Sequence, residues 1–417
     1  MDSSSLAKLL SPEGWALVNA LPPYDESRAM ALATRLRAEG VDPDLAAAAL
    51  TQSRLRAKAR AKLGPFAEGM LFTPDGVEQA TRLVVAALHA RRYLAAGVTK
   101  VADLTSGVGA DALAFAGVGL QVLATDVDET TAALATVNLR AFPEAEVRHA
   151  DGLTLDLAAE GVDGVYADPA RRTRGGKRIF DPAAYAPPLD AVWALRDQVP
   201  ALGIKIGPGV PHAGLPDDAE TQWVSVDGDV VEAGLWFGPL APEGPGRSAL
   251  VLRSTGGDPT HGTGASGTVS RLLRTGPDDA DLVPDVGAVG AYLYEPDGAV
   301  VRAGLVAHAA AELGGRLVDR TIAYVTTDAP APAPEPGQAP LATGYRVLDV
   351  LPFSVKRLKA YLRERGVGRL TIKKRGTAVT PEQLRSQLAL SGDATATIVL
   401  TRVAGRQHVL VVEPLGG

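Results

Sequence analysis

From Thr99 to Gly207 the sequence alternates short apolar runs with helix-forming stretches, and this alternation constrains the fold more than any other feature. The runs are VADL, QVLATD, EVRHAD, GVYADP and LGIKIG, with amphipathic stretches beginning at Ala110 and Glu129. Strands that alternate with helices run parallel, because each crossover must return along one face of the sheet. The fold class is therefore α/β, a Rossmann-like doubly wound sheet. TQWVSVDG and VVEAGLWFG read as an antiparallel hairpin at its edge, joined by the turn-forming Asp227-Gly228-Asp229.

The flanks are different. Residues 1–96 carry helical spacing and no strand pattern, which predicts an all-α leader. Its helices are expected over Asp25–Glu39, from Pro43, over SRLRAKARAKLG up to Gly64-Pro65, and from Pro74 to about Ala96. The sheet domain spans 97–240. Residues 241–328 read as a Gly/Pro/Ser/Thr-rich irregular connection with a small αβ segment, and 329–342 as an extended, exposed Pro/Ala linker. Residues 343–417 read as a separate compact α+β domain.

Composition excludes several classes. The 417 residues contain no cysteine, so disulfides, thiolate metal sites and cysteine nucleophiles are out. Any chemistry that proceeds through a cysteine adduct goes with them. No apolar run approaches the ~20 residues of a membrane span, and the amino terminus lacks a signal-peptide layout. Cytoplasmic residence is expected. The six histidines are scattered singly, His89 and His149 reading as packing or surface residues, and no metal is expected.

The strongest local signal is VADLTSGVGADALAFA. A strand ends in Asp103, the chain turns through Gly107-Val108-Gly109, and a helix begins. Glycines there let the backbone pass close to a nucleotide-like ligand. Asp126 ends the next strand, about 20 residues on, where an acid hydrogen-bonds ribose hydroxyls. The dinucleotide pattern G-x-G-x-x-G is incomplete, since Ala112 stands at its third glycine. An acid before a glycine-poor turn suits a cationic amino-acid ligand that needs no pyrophosphate cradle. Ala150-Asp151-Gly152 and Asp168-Pro169-Ala170-Arg171-Arg172 follow the third and fourth strands, so four acids share the carboxyl rim where ligands of open α/β sheets bind.

With these motifs in order, residues 100–240 resemble class I S-adenosylmethionine (SAM)-dependent methyltransferases. The resemblance implies that Gly107 and Gly109 line the methionine part of SAM, Asp126 binds the ribose, and Asp151 approaches the adenine amino group. The cofactor contacts it implies are Asp103, Thr105, Gly107, Gly109, Asp126, Val127, Asp151, Gly152 and Asp168. The whole chain is similar to a bacterial group of these enzymes with a C-terminal THUMP-like domain. Glu78-Gln79-Ala80-Thr81, Asp168 to Arg172, Glu295-Pro296 and the 343–417 tail carry that likeness. The catalytic half also resembles, distantly, cap guanine-N2 methyltransferases through DLTSGVGADAL, ATDVDE and Phe237-Gly238.

Amino-group methyltransferases place an acid or amide, two prolines and an aromatic residue after the fourth strand. Here Asp168 and Pro169 are kept, while Ala170 and Arg171 replace the rest. Asp168, Pro169 and Arg171 are the expected catalytic residues, with the arginine plane able to stack on a base or hold phosphate. Arg171 and Arg172 also admit a structural ion pair with the acidic rim.

Against a net charge of −6, two local clusters are basic. Val355–Arg375 holds nine Lys/Arg and one Glu, and Arg54, Arg56, Lys58, Arg60 and Lys62 lie on one helix. Arg54, Arg56, Lys58, Arg172, Lys356, Lys359, Lys373, Lys374 and Arg375 are the expected RNA contacts, through phosphate neutralisation. The leading expectation is methylation of a base nitrogen in tRNA or rRNA. A small-metabolite methyltransferase and a non-catalytic RNA-binding protein with a SAM fold are the alternatives.

Overall fold

The computed structural model describes residues 3–170, 185–256, 267–276 and 282–415. The chain divides into two compact units. The first comprises Met1–Glu220, Gly234–Pro245 and Gly256–Ala265, and the second Thr221–Ala233, Gly246–Thr255 and Ser266–Gly417. No helix among the described residues is long and apolar enough to cross a membrane.

In the first unit, β1 (Lys100–Asp103), β2 (Gln121–Asp126), β3 (Ala145–His149), β4 (Gly164–Ala167) and β5 (Ala201–Ile206) form a parallel sheet ordered β3-β2-β1-β4-β5. This is the Rossmann-like sheet the alternation predicts. The order reverses between β1 and β4, which opens a crevice beyond the carboxyl ends of the strands.

The leader helices are α1 (Ser3–Leu10), α2 (Pro12–Ala20), α3 (Ala29–Ala38), α4 (Pro43–Leu63), α5 (Pro74–Gln79) and α6 (Leu83–Ala95). Of these, α4, α5 and α6 share one core with the sheet, while Leu9, Val18, Leu45 and Ala49 of α1, α2 and α4 form a separate cluster. Leu63, Phe72 and Tyr93 pack with Val101, Phe115 and Tyr166. A Cβ on Gly203 of β5 would sit 2.5 Å from Tyr93 Oη and 2.6 Å from Trp236 Cζ3, so glycine there is what admits the aromatic rings. Residues 70–72 are pinned by side chains. Gln52 exchanges hydrogen bonds with the Phe72 backbone, and Asn138 bridges Leu71 to the Val108 carbonyl.

Two helix boundaries differ from expectation. The helix starting at Pro43 and the basic helix are one, because SRLRAKARAKL contains no breaker before Gly64. The helix expected from Pro74 to Ala96 is broken at Ala80-Thr81-Arg82, where Ala80 and Arg82 take extended ψ values of 132° and 136°. The break turns the Thr81 hydroxyl inward to Asp111, a tertiary hydrogen bond that local helix propensity does not foretell.

In the second unit, residues of β6 (Glu220–Val226) and β7 (Asp229–Trp236) join across Asp227 and Gly228, both at positive φ, as a two-residue hairpin requires. The hairpin is not an edge. β8 (Gly246–Thr255) and β9 (Gly267–Arg274) continue the order β7-β6-β8-β9. The irregular connection expected within 241–328 thus contains an antiparallel pair, its alternation hidden by glycine-rich flanks.

The tail is not closed on itself. β10 (Tyr292–Pro296), β11 (Arg316–Asp319), β12 (Ile322–Thr327), β13 (Ala342–Pro352), β14 (Val367–Arg375), β15 (Ala394–Val403) and β16 (Arg406–Pro414) form one sheet ordered β11-β12-β10-β13-β16-β15-β14. β13 satisfies its free edge by pairing with β10. The linker is exposed over residues 332–338, as expected, but its C-terminal end is tied down. Ala339 is buried, and the Leu341 carbonyl accepts from the Asp297 amide. Of the helices in this unit, Val355–Glu364 and Pro381–Leu388 pack on one sheet face through Leu358, Leu362, Leu384 and Leu388.

Candidate active site

A cavity of about 710 Å³ lies in the first unit, within the range of small-ligand sites. Its walls come from the carboxyl ends of β1, β2 and β4, the glycine turn, α5 and residues 185–188. Of the sequence-predicted residues, Thr105, Gly107, Asp126, Val127, Asp151 and Asp168 line it.

The glycine turn is built by backbone geometry. Gly107 and Gly109 take φ of 55° and 85°, a region L-residues with a Cβ rarely adopt. Gly109 then leads into the helix Ala110–Gly117. The Gly107 amide donates to Asp126 Oδ2 at 3.1 Å and the Asp128 amide to Oδ1 at 2.9 Å. Burial pushes the Asp126 carboxyl up, against the pull of these amides. Each oxygen has accepted one hydrogen bond and retains capacity for another. Val127 beside it is 69% exposed.

Asp103, Gly109 and Gly152 do not line the cavity among the described residues. Gly152 is a packing residue, since a Cβ there would meet Leu104 Cβ and Thr125 Oγ1 at 2.8 Å. Asp151 Oδ1 accepts from the Leu153 amide at 3.0 Å and caps the turn at Gly152–Thr154.

Asp103 is buried beneath the glycine turn, and its Oδ2 has no hydrogen-bond partner. Burial and the neighbouring charges of Asp111, Asp168 and Asp126 hold its carboxyl well above the ordinary range. Its Oδ1 accepts from the Thr105 amide at 3.3 Å, and a buried acid among acids with its other oxygen unsatisfied is a place for a cation. The Ser106 hydroxyl, which lines the cavity, is buried without a partner too. This donor and acceptor set fits a ligand with an ammonium, a ribose and further polar edges.

Asp168 neighbours Asp103. Its amide donates to Thr105 Oγ1 at 2.6 Å, and its carboxylate Oδ2 lies 2.5 Å from Lys205 Nζ. Pro169 behind it is buried. Lys205, Thr81, Asp111 and His89 adjoin this acid through hydrogen bonds, and sequence reading missed all four as site residues. His89 is buried, as a packing residue would be, but its Nδ1 lies 2.9 Å from Asp111 Oδ1. Burial pushes the Asp111 carboxyl up, but His89, Lys205 and the Thr81 hydroxyl outweigh it and leave it below its ordinary value. The available signals were Lys205, a charge inside an apolar run, and the positions of Thr81 within Glu78-Gln79-Ala80-Thr81 and of Asp111 within VADLTSGVGADALAFA. Arg171 and Arg172 lie outside the described residues.

The basic clusters are partly occupied internally. On α4, Arg54 is exposed, but Arg56 donates to the Met70 carbonyl at 2.8 Å and Asn19 at 3.0 Å. Lys58 pairs with Glu78 at 3.2 Å. In the second unit Lys356 and Lys359 are exposed on the helix Val355–Glu364. Lys373 and Arg375 instead converge on Glu295, at 2.6 and 3.5 Å, above the Tyr345 and Tyr324 rings. Lys374 is exposed on the opposite face of β14, because successive strand residues alternate. The three residues therefore do not form one track.

Comparison with known proteins fits this geometry to a family. A model described as THUMP domain-like matches residues 342–414, and one of a domain of unknown function matches residues 2–59. Two Mycobacterium tuberculosis proteins, from strains CDC 1551 and H37Rv, are each named an uncharacterized S-adenosylmethionine-dependent methyltransferase. Each is 34% identical over 361 residues, covering 84% of this chain and 90% of its own. A crystal structure from Porphyromonas gingivalis W83, solved as a candidate methyltransferase, shares the fold at a TM-score of 0.69 and 20% identity, covering 95% of this chain and 100% of that one. The chain belongs to the SAM-dependent methyltransferases, enzymes whose cofactor supplies an electrophilic methyl group on a sulfonium.

Proposed function

We propose that this methyltransferase acts on RNA, tRNA or rRNA, at a base nitrogen, in the cytoplasm. In this reading Asp103 takes the SAM ammonium, Gly107 and Gly109 border its amino-acid part, Asp126 takes the ribose hydroxyls, and Asp151 the adenine amine. Asp168, backed by Pro169, accepts a hydrogen bond from the target amine and aligns its lone pair. Catalysis is then positioning and electrostatic preorganisation, with binding aimed at the transition state.

The observation that carries RNA is the exposed basic face of the helix Val355–Glu364, within the segment matched as THUMP domain-like. Lys356, Arg357, Lys359 and Arg363 are exposed while Leu358 and Leu362 are buried, so the cations stand outward in a chain that is acidic overall. Neutralisation of phosphates by such a face releases counterions. Nucleoside mass spectrometry of RNA from a strain lacking the protein tests the reading. Loss of one methylated nucleoside is expected, and an unchanged nucleoside profile in both tRNA and rRNA would count for a small-molecule acceptor.

A further inference from the structure

The geometry points to Lys205 as a positioning residue that holds the Asp168 carboxylate toward the acceptor through a buried polar chain reaching into the leader helices. The inference rests on the reading of Asp168 given above. Lys205 is the one charged residue of β5 and is only 9% exposed. Its Nζ lies 2.5 Å from Asp168 Oδ2 and donates to Thr81 Oγ1 at 2.9 Å. The Thr81 hydroxyl donates to Asp111 Oδ2 at 2.6 Å. Asp111 Oδ1 lies 2.9 Å from His89 Nδ1, and Tyr166 Oη lies 3.3 Å from the same nitrogen.

An ammonium on a buried strand is costly unless it is paired and hydrogen-bonded. An apolar side chain would fill the position as β5 fills its others. The charge is explained by what surrounds it. Asp103, Asp111 and Asp168 crowd one corner, and burial together with the charges of Asp111 and Asp168 holds the Asp103 carboxyl well above its usual range. Lys205 supplies the compensating charge and fixes the Asp168 carboxylate in one orientation. A carboxylate has about four lone-pair sites, more than one ammonium occupies. Such an acceptor-only group, immobilised in advance, favours a nucleophile that brings its own N–H donor, as an amine does.

Thr81 is the link between this pair and the leader. Its hydroxyl is available only because the helix breaks between α5 and α6, and both Thr81 and Asp111 line the cavity with Asp168. His89 of α6 and Tyr166 of β4 close the far end of the chain.

The test uses the full-length protein with ¹⁵N-labelled lysine. A buried, ion-paired ammonium gives a solvent-protected signal, identified as Lys205 by its loss in Lys205→Met. Asp168→Asn and Thr81→Val are expected to shift or broaden it, and Thr81→Ser to restore it. In a second arm, methyl transfer from SAM to total RNA from a deletion strain is followed. Lys205→Met is expected to lower kcat about 100-fold and Thr81→Val about 10-fold, with S-adenosylhomocysteine affinity by calorimetry within about twofold of wild type. Thr81→Ser should recover turnover. Thr81→Val exchanges only a hydroxyl for a methyl, so it keeps the test decisive if Lys205→Met fails to fold. A Lys205 signal indifferent to both Asp168→Asn and Thr81→Val overturns the inference. So does a Lys205→Met enzyme with wild-type turnover when Asp168→Asn has none. If Asp168→Asn itself turns over normally, the reading of Asp168 falls and the inference with it. An RNA pool that accepts no methyl group from wild type counts against RNA, and the ammonium signal still decides the chain.

Discussion

The Gly107 amide donates to Asp126 Oδ2 at 3.1 Å, so the turn after β1 and the acid that ends β2 form one hydrogen-bonded unit. A second amide, from Asp128, fixes the other oxygen. The carboxylate is therefore oriented before any ligand arrives, which lowers the ordering cost of binding.

Asp126→Ala is expected to weaken SAM by roughly 1.5–3 kcal/mol, the range for hydrogen bonds to a charged group. Asp126→Asn should lose less, because it keeps an acceptor for one of the two amides. Calorimetry with SAM measures both, and equal affinities in wild type and Asp126→Ala would remove Asp126 from the cofactor site.

Asp103 predicts a pH dependence. Its folded carboxyl lies well above the ordinary range through burial and neighbouring acids. Stability from this group is thus fully present below the ordinary carboxyl pKa and is lost as pH rises through the raised folded value. In the proposed reading the SAM ammonium pairs with the ionised form, so SAM should bind more tightly as pH rises through the same window and release a proton on binding. Asp103→Asn should flatten the ligand-free melting curve against pH while weakening SAM. Melting profiles with and without SAM check the sign. A wild-type profile that is already flat would contradict it.

The Asp111–His89 contact predicts the opposite limb. With its pKa held below the usual value, Asp111 contributes stability above the ordinary carboxyl range that is lost on acidification through the folded value. His89→Phe removes one of its buried partners and should cost about 1–3 kcal/mol, the range for orphaning a buried polar group. Denaturant unfolding measures this, and a loss under about 0.5 kcal/mol would mean the contact contributes little.

Gly152 separates packing from ligand contact. A Cβ would press on Leu104 and Thr125 at 2.8 Å, including the Leu104 Cα at 2.9 Å, which cannot rotate away. Gly152→Ala should destabilise by about 1–3 kcal/mol through overpacking. SAM affinity, compared at a temperature where the variant is folded, should change less than it does in Asp126→Ala.

Much of the first unit was legible because strand period and turn chemistry are local. The runs ending at Asp103, Asp126 and Asp168 announce both the parallel sheet and its rim. What stayed hidden depends on partners distant in sequence. LGIKIG reads as a buried strand, yet nothing local says that Lys205 meets Asp168 or Thr81. The break at Ala80–Arg82 is held by Thr81–Asp111, a contact made across 30 residues. β8 and β9 pair across a glycine-rich segment that masks their alternation, and β13 finds β10 rather than closing the tail. Lys373-Lys374-Arg375 was within reach, since three consecutive strand residues cannot share a face.

That alternation changes where RNA should be tested. Lys373 and Arg375 are engaged by Glu295, whereas Lys356, Arg357 and Lys359 stand exposed around the buried Leu358. Replacing Lys356, Arg357 and Lys359 by alanine should weaken binding across all RNA sequences with little effect on folding, because alanine favours helix and none of the three is buried. For single-stranded RNA the slope of log affinity against log salt should become shallower by about 0.7 per lost phosphate contact. Lys373→Ala with Arg375→Ala should act differently. It strips Glu295 of its paired cations, so it should lower the melting temperature, and it should reduce the salt slope less than the helix variant does. SAM affinity should be unchanged in both, since every cavity-lining residue lies in the other unit. The measurement is RNA binding by fluorescence anisotropy at several salt concentrations, beside thermal melts. A helix variant with wild-type affinity and salt slope would take the phosphate track away from the helix Val355–Glu364, and with it the observation on which RNA as acceptor rests.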